Sequence, residues 1–158
     1  MYQFKDYYNN QVTLSFKDHP FSKTPGHVWV ICRYKGKWLL TKHKGRGIEF
    51  PGGKVEKGET TKEAAIREVK EETGGDVGSI CYIGQYHVDG KREKVVKNVY
   101  YAQVDSLSPQ QTYYETDGPV VLSALPADIK EKLSYSFIMK DDVLVHCLEY
   151  IKNRLPAK

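Results

Sequence analysis

The sequence predicts a mixed α/β domain. Three observations carry that reading. Apolar and β-branched runs lie on both sides of one central helix, and that helix sits between a glycine-rich loop and a glycine pair. A second amphipathic helix closes the chain. At 158 residues the chain is long enough for one sizeable core and too short for two comfortable ones, so residues 1–158 are taken as one domain. Hydrophobic residues make up 40% and charged ones 28%, an ordinary soluble composition. No apolar run reaches the roughly 18 residues of a membrane-spanning helix. The start, Met1-Tyr2-Gln3-Phe4-Lys5-Asp6, lacks the basic and then apolar order of a secretory signal. Cys32, Cys81 and Cys147 are far apart and form no CxxC, so they read as buried free thiols in a reducing cytoplasm.

Taken in order, Val12 to Phe16 alternates with period two and reads as a strand. His19-Pro20 and Thr24-Pro25-Gly26 make the next stretch a loop. His27 to Tyr34 is a strong strand, turned by Lys35-Gly36-Lys37 into Trp38 to Lys42, which makes the pair a hairpin. Lys44 to Gly47 is loop, and Ile48-Glu49-Phe50 leads into the glycine-rich segment Pro51-Gly52-Gly53. Thr60 or Thr61 caps the central helix, Glu63 sits in its first turn, Thr73 ends it, and Gly74-Gly75 stops it. Val77 to Val88 and Lys94 to Val104 are long strands joined near Asp89-Gly90. Ser106 to Tyr114 reads as a connector, Pro119 to Leu122 as a short strand, and Leu125 to Leu133 as holding a short helix. From Asp141 or Asp142, the stripe Val143, Leu144, Cys147, Leu148 and Ile151 marks the closing helix as core packing rather than a partner site.

The chemistry gathers on the central helix. Glu68, Glu71 and Glu72 stand at i, i+3 and i+4, one helical face, while Ala65, Val69 and Thr73 fall on a different stripe that packs inward. Adjacent carboxylates repel, and a charge run is usually a solvated face. Two features count against that bland reading. Arg67 and Lys70 are poorly placed to neutralise all three acids, and the preceding glycine loop lets backbone approach a ligand closely. Oxygen ligands at this spacing suit a hard cation such as Mg²⁺, which takes a few carboxylates together with substrate phosphates.

The run from Gly53 through Glu59 to Arg67-Glu68-Val69-Lys70-Glu71-Glu72-Thr73-Gly74 resembles the box of the Nudix hydrolases, here residues 53–75. Gly75 departs from it, because the family usually has an aliphatic residue there; Val77 stands two residues late as a replacement. Met1 to Tyr8, His27 to Arg33, Lys97-Asn98 and Ser136 to Asp141 look similar to a bacillar branch of the same family. The resemblance implies the Nudix fold, a mixed β-sheet sandwiched between helices. It also implies water attack at phosphorus of a diphosphate with Mg²⁺, or Mn²⁺, as cofactor. Carried onto this chain, Glu68, Glu71 and Glu72 would hold metal, with the Gly53 carbonyl as a further ligand. Glu68 is the alternative general base. Glu59 and Arg67 would fix the loop to the helix. A further acid often comes from a loop outside the box, and Glu115 is the first choice for it, as catalytic residue and metal ligand, with Asp117 second.

The substrate's other half is less marked. Trp29, Tyr86, Tyr100, Tyr135 and Phe137 are aromatic candidates for stacking on a base, although each singly is more often core. Phe137-Ile138 is preferred, because it lies in a polar segment before the closing helix. Lys97, Asn98 and Lys140, with Asn9, are candidate hydrogen-bonding groups. The five histidines show no metal spacing. Net charge is +4, with Lys42, Lys44 and Arg46 in one basic group and Lys91, Arg92, Lys94 and Lys97 in another. These read as solubilising surface or as contacts to polyphosphate or RNA backbone. The expected enzyme is a cytoplasmic, monomeric pyrophosphohydrolase with no membrane partner. Its expected substrates are 5′-triphosphate RNA ends, guanine nucleoside triphosphates including 8-oxo-dGTP, or both. The alternatives are a hydrolase of another nucleoside diphosphate derivative and a non-catalytic nucleotide sensor. The complete carboxylate set argues against the sensor.

Overall fold

The structure is a computed structural model that describes residues 1–155. Nine strands form one sheet: β1 (Tyr2–Lys5), β2 (Gln11–Ser15), β3 (His27–Tyr34), β4 (Lys37–His43), β5 (Gly47–Glu49), β6 (Gly52–Lys54), β7 (Gly75–Asp89), β8 (Lys94–Leu107) and β9 (Thr116–Leu122). The order is β1-β2-β7-β8-β3-β4-β5, with β6 also on β3 and β9 also on β4. β3 and β8 run parallel and every other pair is antiparallel, so the sheet is mixed. Helices α1 (Thr61–Thr73) and α2 (Asp142–Arg154) cover opposite faces. No helix among the described residues is long and apolar enough to cross a membrane.

Strand β3 shows how the sandwich is built. Its side chains alternate between faces, and both faces are covered, so it reads as a continuous apolar run rather than an alternating one. Val28, Val30 and Cys32 pack with Ala64, Ala65 and Val69 of α1. Trp29 and Ile31 face the larger cluster, which holds Val143, Leu144, Cys147 and Ile151 of α2. The expected inward stripe of α1 is therefore in place, and Thr73 is buried with it. The α1 N-terminus carries a capping box: Thr60 Oγ1 accepts from the Glu63 amide at 3.1 Å, and Glu63 returns a carboxylate to the Thr60 amide at 2.8 Å. At the other end Gly74 takes the left-handed conformation (φ 75°) and its amide donates to the Lys70 carbonyl.

β7 begins at once after that turn, at Gly75 rather than Val77. A Cβ on Gly75 would press on Val69, Thr73 and Val104, so the usual aliphatic side chain has no room, and Val77 packs against the same cluster instead. Other expectations need correction. The first residues form an unexpected strand, because Tyr2 to Lys5 pair with Leu14 to Gln11 in a hairpin. Leu125 to Leu133 holds only a single 3-10 turn at Ile129–Glu131. Pro126 interrupts that stretch and Leu133 is 94% exposed, so no apolar stripe exists to hold a longer helix. Ser106 and Leu107 end β8 instead of opening a connector, and Asp117 and Gly118 lie within β9. Cys32 and Cys147 are buried, but Cys81 is exposed.

Candidate functional site

A cleft of 1020 Å³ opens where β6, the carboxylate face of α1, the β7–β8 hairpin and the loops before β9 and α2 meet. Glu68, Glu71, Glu72 and Glu115 line it together with Gly53. Glu72 lies deepest. Its side chain accepts the Gly52 amide at 3.0 Å, and its own carbonyl accepts the hydroxyls of Thr41 (2.9 Å) and Thr116 (3.1 Å), which tie the end of α1 to β4 and β9. Burial, and then the neighbouring Glu68, push its pKa up to about 8. Burial likewise raises Glu68 to about 7, against the pull of Arg67. Gly53 approaches so closely that any Cβ there would collide with the Glu68 carboxylate. A side chain at residue 53 would displace that carboxylate from its place.

Arg67 does more than its sequence position suggests. Nε and Nη2 grip Glu59 at 2.8 and 2.7 Å, Nη2 donates to the Lys54 carbonyl at 3.0 Å, and Glu56 lies 3.2 Å from Nε. The loop after β6 is thereby stitched to α1, and Arg67 holds the Glu59 carboxyl down at about 2. Its Nη1 also reaches Glu68 at 2.5 Å and Glu71 at 3.4 Å but not Glu72, so all three acids are not neutralised, in line with the expectation. Lys70 turns away to Asp76 at 2.9 Å. The acidic face is thus partly neutralised, and among the described residues Glu72 has no cation in contact.

Glu115 sits on the turn before β9, 83% exposed, with His43 Nε2 3.8 Å away. Its backbone carbonyl accepts the Lys44 amide at 3.1 Å, which pins the turn. Asp117 does not line the cleft. Among the described residues, no group of three or more His, Cys, Asp or Glu forms a ready-made metal cage. An open carboxylate face suits Mg²⁺, which uses few protein ligands and completes its shell with water and phosphate.

The far end of the cleft is apolar and basic. Phe137 and Ile138, on a 3-10 turn, line it with Tyr86, Val88 and Lys97. Lys97 lies 5.8 Å from the Tyr86 ring, and burial lowers its pKa. Of the other candidates, Asn98 is turned away. Adjacent residues of a strand point to opposite faces, and Asn98 is fully buried among Gln85, His19, Thr61 and Tyr100. Lys140 and Asn9 stay outside the cleft wall, as do Tyr100 and Tyr135, which are core residues. Trp29 and Tyr86 contribute edges while packed in the core. Of the basic groups, Arg92 and Lys97 face the cleft and Lys91 and Lys94 do not; Lys42 and Lys44 are likewise outside, and Arg46 is spent on Glu49 at 2.9–3.0 Å.

Glu49, Asp141 and His27 are among the lining residues that the sequence did not single out. Glu49 is 2% exposed and held by Arg46; an Arg-x-x-Glu pair just before the glycine loop was the available signal. Asp141 caps α2 through the Val143 amide at 2.9 Å, and burial raises its pKa to about 7. His27 opens β3 with Nδ1 buried and unpartnered, and nothing in its local sequence announces that.

A NUDIX domain model matches residues 22–121, which include every carboxylate of this face. The chain belongs to the Nudix hydrolase family. It is 57% identical over 152 residues, covering 96% of each chain, to the protein of Bacillus subtilis (strain 168) named "Putative 8-oxo-dGTP diphosphatase YtkD". The crystal structure of the Bacillus subtilis pyrophosphohydrolase BsRppH (E68A mutant) superposes with a TM-score of 0.96 at 56% identity, covering 97% of both chains. A NUDIX hydrolase from Nitrosomonas europaea shares the fold at a TM-score of 0.66 and 22% identity, covering 83% of this chain and 90% of its own. In this Nudix site the arrangement can do two things. An electron-rich face can hold a divalent cation against a diphosphate, and an apolar, cationic wall can receive what the diphosphate is joined to.

Proposed function

We propose that the chain is a Mg²⁺-dependent pyrophosphohydrolase, tolerant of Mn²⁺, acting on 5′-triphosphorylated RNA ends and on guanine nucleoside triphosphates, 8-oxo-dGTP included. The observation that carries this reading is one cleft with Glu68, Glu71 and Glu72 at one end and Lys97, Phe137 and Ile138 at the other. A charged triphosphate needs the first end, and a planar base needs the second. The Bacillus subtilis protein named a putative 8-oxo-dGTP diphosphatase supports the nucleotide arm, and the name pyrophosphohydrolase of the superposed structure supports the reaction class.

Glu68, Glu71 and Glu72 would hold the cation, with the Gly53 carbonyl beside them. Mg²⁺ bound there neutralises phosphate oxygens and makes a coordinated water more acidic. Arg67 keeps Glu68 aimed at the cleft while Glu59 keeps Arg67 in place. Glu68 and Glu115 are the two acids from which the water-activating base is drawn, and Glu115 stands exposed at the rim. Lys97 offers a cation to phosphate or base, and Phe137 and Ile138 form an apolar wall.

The test is product analysis with triphosphate-ended RNA and free guanine triphosphates side by side, with Mg²⁺ and with chelator. Release of phosphate or pyrophosphate that needs Mg²⁺ is expected. Tight nucleotide binding without any product would overturn the enzyme reading in favour of a sensor.

A further inference from the structure

A short run of aromatic rings leads out of the cleft, from Phe137 and Tyr8 in its wall to Tyr7 beyond it. Phe137 lines the interior, and its ring lies 4.9 Å from that of Tyr8 on the rim. Tyr8 in turn meets Tyr7 at 5.2 Å, edge to face at 88°. Tyr7 and Tyr8 are each 54% exposed, although they are large rings on the tip of the β1–β2 hairpin. Lys140 places its ammonium 5.4 Å from the Tyr7 ring. The tip is not a loose loop. Asp6 accepts the amides of Tyr8 (2.9 Å) and Asn10 (2.8 Å) and also the Asn10 side chain (3.1 Å), and Asn9 turns the chain at φ 64°. The hairpin backbone is therefore fixed, and neither tyrosine belongs to the buried core.

We infer that Tyr8 and Tyr7, with Lys140, form a track for single-stranded RNA leaving the cleft, on which nucleotides downstream of the triphosphate end stack. This inference rests on the RNA arm of the function proposed above. Aromatic faces beside a cation are the sequence-tolerant way to hold single strands: each base offers a π-face and each phosphate a negative charge. The ring separations leave no gap for a base between Phe137 and Tyr8 or between Tyr8 and Tyr7, so bases would lie on the free outer faces. The row is continuous with the cleft through Phe137, so RNA emerging from the base end meets Tyr8 before Tyr7. A free nucleotide ends inside the cleft and never reaches Tyr7.

The experiment compares wild type, Tyr7→Ala, Tyr7→Ala/Tyr8→Ala and Tyr7→Phe on free GTP and on a 5′-triphosphate pentanucleotide. Thermal melting establishes that each variant folds. In parallel, the same pentanucleotide with a 5′-hydroxyl and a fluorescent 3′ label reports binding by anisotropy, with no cleavable bond. Tyr7→Ala should raise KM for the pentanucleotide by about fivefold or more, the lower bound for one stacked base, and leave GTP turnover unchanged. The double variant should bind the 5′-hydroxyl strand more weakly still, and Tyr7→Phe should behave as wild type. An unchanged KM for RNA, or equal losses on GTP and RNA, overturns the track while leaving the hydrolase reading intact. If wild type cleaves neither substrate, the hydrolase reading fails by itself. Tyr7-dependent binding of the 5′-hydroxyl strand then still supports the track, and Tyr7-independent binding overturns it.

Discussion

Glu72→Gln should make the metal-free protein more stable at alkaline pH while removing its response to Mg²⁺. The Glu72 carboxylate is 6% exposed, accepts one backbone amide, and touches no cation, with Glu68 and Glu49 contributing further negative potential. Its pKa of about 8 in the fold compares with 4.5 in the unfolded chain. Below the unfolded value both states carry the proton and stability is unaffected. Between the two values the native state keeps a proton that the unfolded state has lost, so stability falls as pH rises, and the full penalty is present above the folded value. At about 1.4 kcal/mol per pH unit that penalty is on the order of 3–5 kcal/mol. For a chain of this size, 1 kcal/mol moves Tm by roughly 2–4 °C. Glutamine keeps the acceptor for the Gly52 amide and carries no charge, so the Tm gain of Glu72→Gln should be near zero at pH about 4 and on the order of 10 °C at pH about 8.5. Mg²⁺ added to wild type should raise Tm most at the alkaline end, where the carboxylate is ionised, and should do little for the variant. Melting curves with chelator and with Mg²⁺ across that range decide it. Parallel Tm profiles for wild type and variant would refute the buried, uncompensated charge, and an equal Mg²⁺ shift in both would refute Glu72 as a ligand.

Glu68→Ala or Glu72→Ala should lose at least about 10²-fold in turnover at saturating Mg²⁺ while remaining folded, measured by steady-state hydrolysis with circular dichroism as control. Glu115→Gln should lower kcat more than it raises KM; a change in KM alone would make Glu115 a rim residue. Arg67→Lys should cost activity although charge is kept, because one ammonium cannot hold Glu59 in two hydrogen bonds and reach Glu68 as well; kcat equal to wild type would sink that. Neutralising Arg92 and Lys97 should flatten the salt dependence of RNA affinity by about 1 to 2 log units per log salt, whereas Lys91 and Lys94, off the cleft wall, should matter less.

Much of this architecture could be read from the chain because its signals are local. The α1 caps are spelled out by Thr60, Glu63 and Gly74, and the carboxylate face follows from helical spacing alone. The β3 run has both sheet faces covered, so nearly every residue in it is apolar. What stayed hidden depended on partners distant in sequence. Tyr2 to Lys5 becomes a strand only because β2 lies beside it, and four residues carry too few alternations to show a period. Asn98 looked like a ligand to base or phosphate beside Lys97. The sheet pleat sends one into the cleft and the other into a buried relay with Gln85, whose carbonyl oxygen is held by the amides of Phe21 and Ser22. Asp141 has no motif of its own and Glu49 only its spacing from Arg46, and both line the cleft only once the chain is folded.

The same distinction explains why the acidic face is more than a solvated stripe. Sequence spacing places three acids together, but only the tertiary arrangement decides which are compensated. Arg67 is drawn by Glu59 toward the loop, and from there its guanidinium reaches Glu68 and Glu71 while leaving Glu72 alone. The threonine hydroxyls on the Glu72 carbonyl hold the end of α1 against β4 and β9, and the Gly52 amide holds the carboxylate itself. A fold that only needed solubility would not bury an acid in this way, because desolvating a carboxylate without a cation is costly. If Glu72 is a ligand as proposed, an entering cation would recover the energy lost by burying its carboxylate, which would tie affinity for the metal to ionisation of that one residue.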